Sequence, residues 1–265
     1  MTTQLDGKVA LITGAGSTIG LGRAMALALI GAGGRVALMD IDPQGLEQNA
    51  AEARQIGGEG CVTTIVADAT DASAAQRAVQ HAIADLGGLH ILINNAGINP
   101  RFDFWELPPE TWAQTMAVNL NGPFFMAKAA APHLRQQGWG RIIGVTTSLD
   151  TMLRSMPYGP SKAGHEAFVA VLASQLEGTG VTANVLVPGG AVDTHMTRGV
   201  NYGSLLQPEV MQAPVVWLAS SESDGFNGQR IVGRRWDGSL AMEERLRQAA
   251  APAAWPQLGR SAEEL

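Results

Sequence analysis

One segment decides the fold: Val9-Ala-Leu-Ile-Thr-Gly-Ala-Gly-Ser-Thr-Ile-Gly-Leu-Gly22. It opens with a short apolar run typical of a buried strand, and the alanine-rich residues 23–30 that follow it are typical of an amphipathic helix. The glycines between them let the backbone approach an anionic group closely, and the N-terminus of the helix offers free N–H groups and the positive end of its dipole. The segment therefore predicts a strand, a phosphate-binding turn and a helix.

The same alternation of short apolar runs and amphipathic stretches continues along the chain. It predicts further strands at residues 35–39, 62–66, 91–93, 141–147 and 181–187, and helices at residues 46–56, 73–86, 111–135 and 161–177. This pattern indicates an α/β fold, a doubly wound parallel β-sheet of about seven strands with helices on both faces. No linker rich in proline or serine interrupts it, so we expect a single domain over residues 1–238, with a lid at about 195–208 and a C-terminal tail over 239–265.

The composition excludes several classes of protein. With 265 residues, of which 46% are apolar, the chain can bury a sizeable core. The net charge of −6 and the absence of a basic run argue against a nucleic-acid partner, and the single cysteine, Cys61, excludes an internal disulfide. No apolar run approaches the roughly 18 residues that a membrane span needs, and the first residues lack the features of a signal peptide. We expect a cytoplasmic protein with no membrane partner.

Asp40 ends the second predicted strand and bears on the choice of cofactor. A carboxylate at this position can accept hydrogen bonds from both ribose hydroxyls of NAD, and it repels the 2′-phosphate of NADP. Ile41 follows it, and the glycine-rich turn contains no basic residue before Arg23. These residues predict NAD as the cofactor, with an ordinary surface aspartate as the alternative interpretation.

Further short motifs occur along the chain in a fixed order: Thr13-Gly14 with Gly20 and Gly22, Asp68, Asn94-Asn-Ala-Gly97, Asn119, Tyr158-Gly-Pro-Ser-Lys162, and Pro188-Gly189 before Thr194. With these motifs, the chain resembles the short-chain dehydrogenase/reductase family over roughly residues 5–237. The resemblance implies a Rossmann-type domain that transfers hydride between a secondary alcohol or ketone and the nicotinamide of NAD(H). The alternatives are a catalytically silent dinucleotide-binding sensor on the same fold and an NADP-dependent 3-oxoacyl reductase.

The resemblance also assigns catalytic roles. Tyr158 would be the acid/base, and Lys162, four residues later on the same helix face, would favour its phenolate and bind the ribose hydroxyls. Asn119 would hold a water molecule in a proton relay. For the substrate oxygen we expect Ser148, which residue chemistry favours; Thr147, which alignment of the strand favours, is the alternative.

The cofactor-binding residues implied by the resemblance follow the predicted strands, except for Tyr158 and Lys162. They are Gly14, Gly16, Ser17, Gly20, Gly22, Asp40, Asp68, Ala69, Asn95, Ala96, Gly97, Tyr158, Lys162, Pro188, Gly189, Val192 and Thr194. Asp68 and Ala69 would bracket the adenine, and residues 95–97 would line the adenosine side. The carboxamide of the nicotinamide would meet residues 188–194.

One departure from the family pattern lies in the glycine-rich turn. Five residues, Ala15 to Ile19, separate its first glycine from Gly20, where the family usually has three. This insertion could alter how the turn meets the pyrophosphate. The expected partners are a small-molecule alcohol or ketone and, by resemblance, three further copies in a homotetramer. The scattered histidines have no metal-ligand spacing, so no metal is expected.

Overall fold

The computed structural model describes residues 4–256. Its strands are β1 (Val9–Thr13), β2 (Arg35–Asp40), β3 (Val62–Val66), β4 (Ile91–Asn94), β5 (Gly140–Val145), β6 (Val181–Val187), β7 (Gln229–Val232) and β8 (Ala250–Pro252). They form one eight-stranded sheet in the order β3-β2-β1-β4-β5-β6-β7-β8, parallel except for the β7–β8 pair. The doubly wound α/β fold is thereby confirmed, with one strand more than the approximate count of seven.

Helices cover both faces of the sheet. They are α1 (Leu21–Gly31), α2 (Pro43–Gly57), α3 (Ala72–Leu86), α4 (Pro109–Met116), α5 (Gly122–Gln136), α6 (Leu149–Arg154), α7 (Tyr158–Gln175), α8 (Gln212–Ala219) and α9 (Met242–Ala249). In β1, Ala10 and Ile12 pack with α1, α2 and α8, whereas Val9 and Leu11 pack with α3, α5 and α7. Because both faces are covered, the first four residues of β1 are all apolar rather than alternating with polar ones.

The predicted helix at residues 111–135 is divided into two helices. A π-helical turn over Ala117–Asn121 separates α4 from α5. Such a turn places one more residue in the helical ladder and is often found where a side chain has a functional position. Here the turn contains Asn119, whose side chain is fully buried.

The described part of the C-terminal tail, residues 239–256, adds α9 and an edge strand. β8 pairs antiparallel with β7, so that Arg230 lies opposite Ala251. Beyond it, the Ala254 N–H donates to Oε1 of the buried Glu166 at 3.3 Å. The remainder of the tail lies outside the described residues. None of the helices within residues 4–256 combines the length and the apolar character needed to cross a membrane.

Candidate active site

The glycine-rich turn lies at the carboxyl end of β1 and packs directly on the turn after β4. Gly14 has φ +67°, and a Cβ added to it would lie 2.6 Å from the Ala96 Cα. The Asn95 side-chain amide donates to the carbonyls of Thr13 and Gly14, both at 2.9 Å, and the Thr13 hydroxyl accepts the Asn95 and Ala96 N–H groups. The predicted residues Gly14, Asn95 and Ala96 are therefore brought together, with the Asn95 amide occupied in holding the turn.

A second amide holds the same turn from the other side. Asn49 of α2 is 3% exposed, and its Nδ2 donates to the carbonyls of Ala15 at 2.7 Å and Ser17 at 3.3 Å. Sequence reasoning missed Asn49. The available signal was a polar residue on the buried face of an amphipathic helix, where a side chain needs a partner.

The N-terminus of α1 is open to an anion. Gly20 precedes the helix, and no side chain caps its first turn. A Cβ at Gly20 would lie 2.8 Å from the Ser17 Cβ, and one at Gly22 would lie 2.6 Å from the Gly14 carbonyl oxygen. Since the glycines keep the backbone close and the N–H groups uncapped, this turn fits the diphosphate of NAD or NADP.

Asp40 stands beside this turn at the end of β2. Its Oδ2 accepts the Gly16 N–H at 2.8 Å, and its Oδ1 accepts those of Ile41 at 2.7 Å and Asp42 at 3.1 Å. The carboxylate therefore lies at the glycine-rich turn, where the adenosine end of the cofactor is expected. It also ties β2 to the turn.

The remaining predicted cofactor residues lie at the same carboxyl edge of the sheet. Asp68 is exposed after β3, where its Oδ1 accepts the Thr70 N–H at 2.8 Å, and Ala69 beside it is buried. After β6, residues 188–194 lead from the sheet into the lid, and Val192 pairs there with Leu206. Parallel strands end at one edge, so the predicted set is gathered there although its members are distant in sequence.

Tyr158 and Lys162 occupy successive turns at the start of α7, and both are buried. The Lys162 Nζ donates to the Val145 carbonyl at 2.9 Å and lies 5.8 Å from the centroid of the Tyr158 ring. Burial lowers the pKa of Lys162 to about 8. Burial, with a smaller contribution from nearby Tyr202, raises the pKa of Tyr158. The phenol is therefore protonated at neutral pH, and the lysine is anchored to β5.

Asn119 lies next to this pair. Its Oδ1 accepts the Ile98 N–H, and its Nδ2 donates to the Ile98 carbonyl and to the Ser161 hydroxyl, all at 2.9 Å. A Cβ at Gly97 would lie 3.2 Å from the Asn119 Oδ1 and 3.3 Å from the Lys162 Nζ. Glycine at position 97 therefore leaves the small space between these two side chains open.

The two candidates for the substrate oxygen differ in their surroundings. The Ser148 hydroxyl caps α6, because its Oγ accepts the Thr151 N–H at 3.2 Å and lies 3.0 Å from the Thr151 Oγ1. The Thr147 carbonyl accepts from the Arg230 Nη2 at 3.0 Å. The Thr147 hydroxyl has no hydrogen-bond partner among residues 4–256.

The lid contacts this edge at two places that the sequence did not predict. The His195 Nδ1 lies 3.1 Å from the Ser17 Oγ, which belongs to the inserted part of the glycine-rich turn. On the other side of the lid, the Arg101 Nη2 donates to the Met196 carbonyl at 3.0 Å and to the Tyr202 hydroxyl at 2.6 Å. Both pairs join residues that are far apart in sequence, so periodicity gives no signal for them.

Comparison with known proteins agrees with this geometry. The family model described as short chain dehydrogenase matches residues 8–204. The chain belongs to this family. The D-threitol dehydrogenase of Mycolicibacterium smegmatis is 32% identical over 244 residues, which cover 86% of this chain and 92% of that one. The D-beta-hydroxybutyrate dehydrogenase of Cupriavidus necator is 38% identical over 190 residues, covering 70% and 71% of the two chains.

Comparison with solved structures agrees with the assignment to this family. A short-chain type dehydrogenase/reductase from Mycobacterium marinum superposes with a TM-score of 0.79 at 28% identity, covering 87% of this chain and 95% of that one. As a short-chain dehydrogenase, the chain is an oxidoreductase that acts on CH–OH groups and depends on NAD or NADP. Its relatives are named for a neutral polyol in one case and for a hydroxy acid in another.

Proposed function

We propose that this short-chain dehydrogenase uses NAD(H) to interconvert a secondary alcohol and its ketone, with Tyr158 as the acid/base. The observation that carries the proposal is the juxtaposition of Tyr158 with Lys162, whose Nζ lies with the Asn119 side chain beside the open space at Gly97. When bound, the coenzyme supplies the nicotinamide carbon that accepts or gives the hydride. A silent sensor would not need this buried tyrosine and lysine, so the alternative of a sensor has less support.

Tyr158, Lys162 and Asn119 would have different roles in the transfer of the proton. Tyr158, protonated at neutral pH because burial raises its pKa, can give its proton to a ketone oxygen, and its phenolate can take the proton of an alcohol. Lys162, with its pKa lowered to about 8, still carries a positive charge at neutral pH and stabilises that phenolate. The buried Asn119 beside Lys162 lies where a water molecule could relay the proton to solvent.

The proposal of NAD rather than NADP rests on the charges around the glycine-rich turn. The Asp40 carboxylate lies against the turn through the Gly16 N–H. Arg23, the first basic residue after the turn, is already paired with Glu52 through its Nε at 2.7 Å. The 2′-phosphate of NADP would therefore be repelled by the Asp40 carboxylate, and the Arg23 guanidinium would already be paired with Glu52. The NADP-dependent 3-oxoacyl reductase is accordingly the less favoured alternative.

Replacing Asp40 by alanine tests the coenzyme preference. A hydrogen bond to a charged group contributes about 1.5–3 kcal/mol, so the ratio of kcat/KM with NAD to that with NADP should fall by about 10- to 150-fold. Coenzyme reduction over a panel of alcohols measures it. Asp42→Asn is the matched control, because it removes a charge two residues away and can still cap α2. Tighter binding of NADP than of NAD by the wild type would contradict the proposal.

For the substrate oxygen we propose Thr147, whose hydroxyl is free of the helix cap that engages Ser148. Thr147→Val keeps the shape of the side chain and should lower kcat by about 10²- to 10³-fold, the loss of one hydrogen bond that strengthens in the transition state. Ser148→Ala should mainly lower the free energy of unfolding, by about 1 kcal/mol, through loss of the cap. The larger kcat loss in Ser148→Ala would assign the role to Ser148 instead.

We also propose the homotetramer, assembled through α5 and α7. Phe124 and Val171, one on each helix, are large apolar residues that are 45% and 59% exposed in the single chain. Phe124 packs edge to face on Phe168, with ring centroids 5.9 Å apart, so the two helices present a joint apolar surface. Measuring the molar mass of the protein in solution tests this proposal: the mass of four chains would support the homotetramer, and the mass of one chain would contradict it.

A further inference from the structure

Arg101 lies beside the proposed acid/base, on the loop that follows β4. It forms an isolated antiparallel bridge with Pro157, the residue immediately before Tyr158. The neighbouring Phe102 N–H donates to the Met156 carbonyl at 3.3 Å. The backbone of Arg101 is therefore fixed relative to the start of α7, and its side chain begins close to the proposed site of the reaction.

The guanidinium of Arg101 extends from there to the lid. Its Nη2 donates to the Met196 carbonyl and to the Tyr202 hydroxyl, and its Cζ lies 5.5 Å from the centroid of the Tyr202 ring. Tyr202 is also near enough to Tyr158 to contribute to its raised pKa. The guanidinium is thus bonded to the lid, while the backbone of Arg101 is paired with the residue that precedes Tyr158.

This positive charge has no acidic partner within residues 4–256. None of the ion pairs among those residues includes Arg101, whereas Arg154 of the neighbouring α6 is paired with Asp150 at 2.8 Å. Only Nη2 of Arg101 makes hydrogen bonds to described residues, which leaves the donors on Nε and Nη1 available. The planar fork of a guanidinium matches the two oxygens of a carboxylate and binds them through paired N–H donors.

We propose that Arg101 binds a carboxylate of the substrate, and that this enzyme therefore acts on hydroxy acids and the corresponding oxo acids. The carboxylate would accept from the free donors of the guanidinium while Nη2 keeps its contacts with the lid. The reaction would leave the carboxylate unchanged: the hydroxyl proton of the alcohol would go to the Tyr158 phenolate, and the coenzyme, when bound, would supply the acceptor of the hydride. This inference rests on the proposed dehydrogenase function and adds the class of its substrate.

The kinetic test pairs each 2-, 3- and 4-hydroxy acid of a short-chain series with its neutral amide. For the best pair we expect the wild type to favour the acid by at least about 10-fold in kcat/KM. Arg101→Gln should raise KM for the acid by about 10- to 100-fold, change kcat by less than about 3-fold, and raise KM for the amide much less, because loss of the lid contacts affects both substrates alike. Arg101→Lys keeps the charge and loses the planar fork, so its KM for the acid should lie between those of the wild type and Arg101→Gln. Arg198→Gln, an equal change of charge at an exposed lid residue, is the control.

A binding test separates the failure of this inference from that of the proposed function. Calorimetric titration with butyrate and butyramide, in the presence of NADH, needs no turnover. Butyrate should bind the wild type and Tyr158→Phe, and Arg101→Gln should weaken its binding by about 10-fold or more. Equal preference for acid and amide, or equal binding of butyrate by Arg101→Gln, would overturn the role of Arg101. Turnover retained in Tyr158→Phe would instead count against the acid/base assignment alone.

Discussion

Replacing Tyr158 by phenylalanine is expected to lower kcat by about 10²- to 10⁴-fold in both directions of the reaction, the range that a positioned acid/base contributes. The ring fills the same space, and the Tyr158 hydroxyl makes no hydrogen bond to a described residue, so no partner is left unsatisfied. The free energy of unfolding should therefore change by less than about 1 kcal/mol. Coenzyme absorbance gives kcat, and chemical denaturation gives the stability.

The pH dependence distinguishes a proton-transfer role from a merely structural one. Since burial raises the pKa of Tyr158, the phenol is the populated form at neutral pH. Alcohol oxidation, which needs the phenolate, should therefore increase with pH across the alkaline range, while ketone reduction should not. Tyr158→Phe should lose this increase and retain binding of NADH within several-fold. A variant that keeps its rate within 10-fold, or keeps the alkaline rise, would show that another group moves the proton.

The fold was predictable from the sequence because parallel strands that are covered on both faces form nearly continuous apolar runs. β6, over Val181–Val187, is apolar except at Thr182 and Asn184, and its observed bounds equal the predicted ones. β8 has only three residues, Ala250–Pro252, and no pattern of that length distinguishes a strand from a turn. It exists because the edge of β7 offers backbone partners to the returning chain, which is a tertiary effect.

The position of the proposed site was predictable for a similar reason, since turns that follow parallel strands must meet at one edge. The contacts within it were not. Spacing along a helix predicts that Lys162 lies near Tyr158, but the group that anchors its ammonium is the carbonyl of Val145, on another element. Asn49 and Arg101 carry no motif, and their partners are fixed only when α2 and the lid pack against the glycine-rich turn and the start of α7.

The second large effect is expected at a buried ion pair behind the proposed site. Glu166, one turn beyond Lys162 on α7, is fully buried, and its Oε1 lies 3.3 Å from the Arg230 Nε. Its Oε2 accepts the Thr146 hydroxyl proton at 2.9 Å. Glu166→Leu would leave the Arg230 guanidinium buried without its counter-charge, so the free energy of unfolding should fall by about 3–5 kcal/mol. Chemical denaturation measures it.

The double variant Glu166→Leu with Arg230→Met tests whether the unpaired charge of Arg230 causes this loss of stability. Burial raises the pKa of Glu166 even though Arg230 acts to lower it. The free-energy cost of desolvating the carboxylate therefore exceeds the stabilisation from its attraction to Arg230. Removing both charges should therefore recover most or all of the stability lost in the single variant. Arg154→Ala, which breaks the exposed pair with Asp150, should cost less than about 1 kcal/mol. A double variant as unstable as the single one would mean that the contacts of Glu166 with Thr146 and the tail, rather than charge, stabilise this region.

The same pair has a consequence for catalysis. The Arg230 Nη2 holds the carbonyl of Thr147, the residue proposed to bind the substrate oxygen, and Glu166 accepts the Ala254 N–H of the tail. A charge-free double variant that regains stability but lacks the Thr147 contact should therefore show a lowered kcat with little change in coenzyme binding. Full activity in a double variant that has regained its stability would mean that β5 alone positions Thr147. The buried ion pair would then serve only to attach the tail.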